Sequence, residues 1–319
     1  MSSTTSTRRR LLAGLAGSAL ALAAVATASP AVAAPAPATA SIEAGRLVLD
    51  PTDRGYRGSL PVTVTNLGTT ATYYSVTFVE PVGGSFEGLT PEEACVFNGL
   101  VDNRRQINCM VPGSLLEPGE RRTFSVNFHA LTPTRDVAMI TKGGRVSVNS
   151  GDGRDDVADR ERFNTLFRST TGSLRNPVPY VQDQQADVSI TTAGAVTLTP
   201  QEDGSYLGRL PATVTWDGDA AHEHLSVEAT GLPAGVMIWG TDPQDLPSFF
   251  TWFAVPGEQF IDGETRTFDV LLRAEPGTVP GALGTVTFDL DTMWDGNVVP
   301  DPDPADNTAS FTVTVAAAS

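Results

Sequence analysis

Gly58-Ser59-Leu60-Pro61-Val62-Thr63-Val64-Thr65 recurs as Gly208-Arg209-Leu210-Pro211-Ala212-Thr213-Val214-Thr215. In both copies Leu, Val or Ala alternates with Pro and Thr, so apolar side chains point one way and polar ones the other, the period of a half-buried strand. Gly119-Glu120-Arg121-Arg122-Thr123-Phe124-Ser125-Val126 matches Gly263-Glu264-Thr265-Arg266-Thr267-Phe268-Asp269-Val270, and Gly144-Arg145-Val146-Ser147-Val148 matches Gly284-Thr285-Val286-Thr287-Phe288. The matches keep their order while the offset shrinks along the chain. Two copies of one unit with unequal loops give that pattern.

The other alternating runs include Thr123–Phe128, Arg266–Leu272 and Phe311–Val315, with Gly, Pro, Asn and Asp between them as turn residues. Asp155–Phe167 has room for a single helical turn; no longer helical run follows the N-terminal segment. About seven short strands per half, each with one apolar face, need a second sheet to cover them. The expected fold is therefore all-β: two tandem Ig-like antiparallel β-sandwich domains behind an N-terminal signal peptide. The expected bounds are 41–175 for the first and 186–316 for the second, joined by a linker over 176–185 that starts at Asn176-Pro177-Val178-Pro179.

Val64-Thr65-Asn66-Leu67-Gly68 resembles the strand–turn signature of Ig-like repeat domains of bacterial secreted and cell-surface proteins, a family of unassigned function with related adhesion-type modules. Cys95 and Cys109, followed by Leu116-Glu117-Pro118-Gly119-Glu120, resemble its cysteine pair and turn. Leu232-Pro233-Ala234-Gly235-Val236 and Ala305-Asp306-Asn307-Thr308-Ala309 resemble two further signatures. The second half lacks the cysteines, and the first lacks Leu-Pro-Ala-Gly. The resemblance implies the fold and carries no catalytic residues.

Residues 1–34 read as an export signal. Arg8-Arg9-Arg10 precedes an Ala- and Leu-rich run to about Val25, and Ala31-Val32-Ala33 is a small-x-small cleavage site, with Val32-Ala33-Ala34 one step later as the alternative. The arginines followed by Leu11-Leu12 resemble the twin-arginine type, with ordinary Sec export as the alternative. Residues 35–40 form an Ala/Pro-rich leader. No later stretch has the length and apolarity of a membrane span, so the mature chain is expected to be secreted without a transmembrane segment.

Of 319 residues, 40% are hydrophobic and 18% charged, which excludes a disordered chain. A net charge of -16 argues against nucleic acid as a partner. The charge is uneven: Lys+Arg number 15 against 17 Asp+Glu in residues 35–183, and 3 against 20 in residues 184–319. Arg104, Arg105, Arg121 and Arg122 either face an anion or dock on the acidic second half. Cys95 and Cys109 are the only cysteines, close together in an exported chain, and this favours a disulfide stapling a hairpin around Asn98–Gln106.

No nucleophile, dinucleotide or P-loop motif is present. His222 and His224, on one face if the segment is a strand, are a weak metal pair, the plainer reading being a polar strand edge. Asp289, Asp291, Asp295, Asp301 and Asp303, around a Trp-Asp-Gly turn, offer oxygen ligands to calcium, with Asp152, Asp155, Asp156 and Asp159 at the matching place in the first half. They lack EF-hand spacing, and solvated carboxylates that keep an exported protein soluble are the commoner case; no other cofactor is expected. Phe249, Phe250, Trp252 and Phe253 cluster between Pro247 and Pro256. Read as one strand, Phe249, Thr251 and Phe253 share a face and Phe250 and Trp252 take the other. Phe250 and Trp252 are then a candidate ligand surface, or else core.

These readings lead to an expected non-catalytic binding or structural protein, an adhesin or spacer at or outside the bacterial cell envelope, whose partner is an envelope protein or glycan. The alternatives are a secreted glycosidase-like hydrolase using loop carboxylates, or an accessory subunit of an extracellular enzyme.

Overall fold

A computed structural model of the protein describes residues 39–149 and 157–317. The signal segment, residues 35–38 of the leader, and Asp152, Asp155 and Asp156 lie outside the described residues, while Ala40, expected in the leader, begins the first strand. No helix occurs among those described. The first half contains β1 (Ala40–Ala44), β2 (Leu47–Thr52), β3 (Gly55–Asn66), β4 (Ser75–Val79), β5 (Phe86–Thr90), β6 (Cys95–Val101), β7 (Arg104–Met110), β8 (Arg121–Ala130), β9 (Met139–Asn149) and β10 (Val157–Phe167). A short β11 (Val178–Pro179) follows. The second half contains β12 (Asp187–Thr192), β13 (Ala195–Pro200), β14 (Tyr206–Asp217), β15 (Ser226–Thr230), β16 (Val236–Asp242), β17 (Ser248–Phe249), β18 (Trp252–Ala254), β19 (Thr265–Ala274), β20 (Gly281–Asp291), β21 (Met293–Trp294), β22 (Asn297–Val298) and β23 (Thr308–Val315).

The first-half order is β5-β8-β3-β2-β10-β9-β4-β7-β6, with β1 also on β3. The second-half order is β16-β19-β14-β13-β23-β20-β15-β18-β17, with β12 on β14. The two orders correspond strand for strand. In each half one strand passes between the layers. Leu47–Leu49 of β2 pair parallel with β10, and Asp50–Thr52 then pair antiparallel with β3. Ala195–Leu198 of β13 pair parallel with β23, and Thr199–Pro200 pair with β14. Each half is thus an Ig-like antiparallel sandwich of two layers.

The matched sequence stretches are neighbours in space. Val62 pairs with Phe124 and Thr63 with Thr123; Ala212 pairs with Phe268 and Thr213 with Thr267. The paired threonines share hydrogen bonds of 2.8 and 3.0 Å on the outer faces, while the apolar partners are buried. Gly58 and Gly208 open both stretches because the crossing strand runs against them: a Cβ would lie 2.1 Å from the Val48 carbonyl oxygen or 3.0 Å from that of Thr197. Each half encloses its own apolar core, one around Tyr56, Phe128 and Phe167, the other around Trp216, Phe253 and Phe288.

Residues 157–167 form strand β10 rather than a helical turn. Phe163, Thr165 and Phe167 are buried in alternation, and the run pairs with β9 along its length. The segment 176–185 is held by packing. Val178–Pro179 pair with β9, Tyr180 is buried in the first core, and Gln182 Nε2 donates to the carbonyls of Gly83 (3.0 Å) and Asp219 (3.1 Å).

Candidate functional site

The Pro247–Pro256 aromatics do not lie on one strand. Phe250-Thr251 is a two-residue turn between β17 and β18, with Phe249 paired to Trp252. The alternation expected from a single strand therefore fails: Phe249 and Phe250 are both exposed (61% and 53%), Trp252 is 37% exposed, and Phe253 alone enters the core. Phe249 and Phe250 meet edge to face at 4.4 Å.

The turn is clamped to both layers. The Phe250 carbonyl accepts from Ile238 N–H (2.7 Å) on β16, and the Thr251 carbonyl accepts from Ala229 N–H (2.7 Å) on β15. Trp239, one residue along β16 from Ile238, sits at the bulge between Ile238 and Gly240. The bulge turns it outward, half exposed, with the Arg273 guanidinium 4.5 Å from its ring. Phe250 has φ 41°, in the left-handed region that a bulky side chain rarely occupies. Three exposed aromatics on a clamped turn, beside a fourth on the neighbouring edge strand, make an apolar surface with little freedom to collapse. The other two tryptophans, Trp216 and Trp294, are buried.

The aspartates are spread apart. Asp289 and Asp291 lie on β20, opposite Glu228 and Ser226. Asp295 sits in the β21–β22 turn, 3.4 Å from Arg105. Asp301 takes N–H groups from Val188 (3.1 Å), Asp303 (2.8 Å) and the Asn307 side chain (3.0 Å), so it organises its own loop. Among the described residues no three His, Cys, Asp or Glu side chains converge to hold a metal ion. The expected calcium set is not brought together.

His222 and His224 are not a pair either. The segment is a loop: His224 is exposed and His222 is buried against Trp216, ring centroids 4.0 Å apart. His222 Nδ1–H donates to the Ala220 carbonyl (3.0 Å), and Nε2 accepts from Phe260 N–H (3.0 Å). Burial pulls its pKa down to about 4, and with both ring nitrogens engaged it is a neutral core side chain.

Arg104 and Arg121 form ion pairs within the first half, with Asp102 (3.2 Å) and Glu43 (2.8 Å). Arg122 and its counterpart Arg266 follow the two Gly-Glu turns. Each pairs with the adjacent glutamate (Glu120 at 2.5 Å, Glu264 at 2.7 Å) and donates to loop carbonyls, including those of Pro112 and Pro256. Arg105 docks on the second half, with Glu223 at 2.7 Å. Arg54 does likewise at Glu258 (3.0 Å) and Glu264 (3.2 Å). Asp219 completes the junction, accepting from Thr132 (2.7 Å) and Tyr180 (2.9 Å). Cys95 and Cys109, directly opposite on β6 and β7, form the disulfide.

No family model matches the sequence, and no curated protein matches it. Solved structures are similar at low identity. The YadV chaperone is 10% identical with a TM-score of 0.24, covering 86% of this chain and 99% of its own. A Porphyromonas gingivalis W83 protein of unknown function is 11% identical with a TM-score of 0.21, at the same coverage. A non-cellulosomal cohesin from Archaeoglobus fulgidus is 17% identical with a TM-score of 0.25, covering 42% of this chain and 92% of its own. The fold assignment rests on the strand pairing and the two cores.

Proposed function

We propose that the chain is a non-catalytic binding or spacer protein of the bacterial cell envelope, and that it makes contact through Phe249, Phe250 and Trp252, with Trp239 beside them. The observation that carries this reading is Phe250: an exposed aromatic held at φ 41° on a turn tied to both layers. Backbone strain at an exposed site points to a task other than stability. The N-terminal sequence pattern supports export, and the disulfide suits an oxidising compartment. The duplicated strand order supports two copies of one module, the first docked as a stapled support for the second.

The test is sedimentation of the purified chain with isolated cell envelopes, alongside a glycan array. Wild type should be retained, and a Phe250→Asn/Trp252→Ala variant should pass through with an unchanged melting temperature. Equal retention of both proteins would rule out this surface.

A further inference from the structure

The outer face of β6-β7-β4-β9-β10 in the first half forms an open groove of about 990 Å³, away from the aromatic turn. Strand registers lay out its floor in two rows. One runs Gln106–Val79–Arg145–Arg162, the other Asn108–Thr77–Ser147–Arg160. Amides and hydroxyls therefore occupy one side, where Asn108 Nδ2 donates to Thr77 Oγ1 at 3.0 Å, and guanidinium groups the other. Arg145 and Arg162 are directly opposite across β9–β10 and both are exposed. On its other flank Arg145 faces Val79, so neither neighbouring strand places a carboxylate across from it. Glu161, the one acidic residue bordering the groove among the described residues, turns its carboxylate to the opposite face of β10, where it accepts from Ala44 N–H at 2.8 Å. Like charges directly opposite on a sheet repel. Half-exposed Tyr73 stands at the rim.

We infer that this groove binds an anionic oligosaccharide, one bearing carboxylate or sulfate groups. Paired guanidiniums are suited to planar or tetrahedral oxyanions, which they hold through two-point hydrogen bonds. The Asn, Gln, Ser and Thr rows offer donors and acceptors to sugar hydroxyls, and the tyrosine ring offers a stacking surface. Four strands span about 14 Å, enough for a few sugar units side by side. The chain's net charge of -16 opposes any long polyanion, which restricts the ligand to a short oligosaccharide and disfavours a nucleic acid. The site is separate from the aromatic turn, so either can fail alone.

Titration calorimetry of the full chain with oligogalacturonate, and separately with a sulfated chondroitin oligosaccharide, tests the inference and identifies the anion. Saturable binding of at least one is expected, with no binding of neutral maltooligosaccharide. Arg145→Ser/Arg162→Ser should weaken it about tenfold or more. Arg145→Lys/Arg162→Lys should lose part of it, and Trp252→Ala none. A charge-matched Arg46→Ser/Arg175→Ser control should also bind normally. The melting temperature of Arg145→Ser/Arg162→Ser should hold or rise, because repulsion is relieved. The inference is overturned by no binding to either probe, or by equal loss in the charge-matched control. It is also overturned by self-association that the Arg145/Arg162 variant abolishes, because the equivalent face of the second half places Glu228 opposite Asp289 and would then be the occupant.

Discussion

The Arg105 guanidinium of the first half lies 3.9 Å from the ring of Trp294 in the second, and the same cation reaches Glu223 at 2.7 Å. Trp294 is buried, and its Nε1–H donates to the Asn103 carbonyl at 3.1 Å. The β21–β22 hairpin presents Trp294, and its Asp295-Gly296 turn, with positive φ at both residues, suits a tight two-residue loop. Truncating the ring removes apolar burial, a hydrogen bond and a cation–π contact together. Trp294→Ala should cost about 3–5 kcal/mol in urea unfolding. A loss below about 1 kcal/mol would mean that the junction contributes little to stability.

Arg105 is carried by the disulfide-stapled hairpin, whose Leu100 packs against the core of the second half. The bond closes a short loop in the unfolded chain, so Cys95→Ser/Cys109→Ser should cost about 3 kcal/mol. Because the staple holds Arg105 and Leu100 in place, its removal should couple to Trp294→Ala. A double-mutant cycle should give a nonzero interaction energy, and strict additivity would show that the hairpin keeps its shape without the bond.

The paired strands were legible from the alternation of Leu60, Val62 and Val64 against Pro61, Thr63 and Thr65, because one face of every strand had to be covered. The aromatic turn was not. A two-residue turn is usually announced by Gly or Asn, and Phe250-Thr251 contains neither, so the period-two pattern ran straight through it. In β10 the charges of Asp159, Arg160, Glu161 and Arg162 hid the alternation that resumes at Phe163. Inward-facing Asp159 and Glu161 instead accept the N–H groups of Ile42 (3.0 Å) and Ala44 (2.8 Å) on β1. The Arg105–Trp294 contact joins residues far apart in the chain, and no spacing rule could connect them.

His222 gives the fold a pH dependence whose sign follows from its surroundings. Burial brings its pKa down to about 4 in the folded chain, against about 6.5 unfolded. Between these values the unfolded chain binds a proton that the native one does not. The stabilisation is therefore complete above about pH 6.5 and is lost as pH falls toward 4, by up to about 3 kcal/mol. In His222→Gln this component should disappear, leaving a shallower fall between pH 6.5 and 4. Parallel stability curves for the two proteins would show that His222 does not stay neutral.

Phe250 separates function from stability at one position. Its left-handed backbone costs about 1–2 kcal/mol for a residue with a Cβ, while its edge-to-face contact with Phe249 returns about 0.5–1.5 kcal/mol. These terms nearly cancel. Asparagine tolerates the same backbone, and the Phe250 carbonyl bond to Ile238 N–H does not depend on the side chain. Phe250→Asn should therefore leave stability within about 1 kcal/mol of wild type, while Phe253→Ala, in the core, should cost about 3–5 kcal/mol. If Phe250→Asn instead lost more than about 2 kcal/mol, the exposed ring would be a structural strut, and the strain at φ 41° would be compensated by packing rather than kept for contact with a partner.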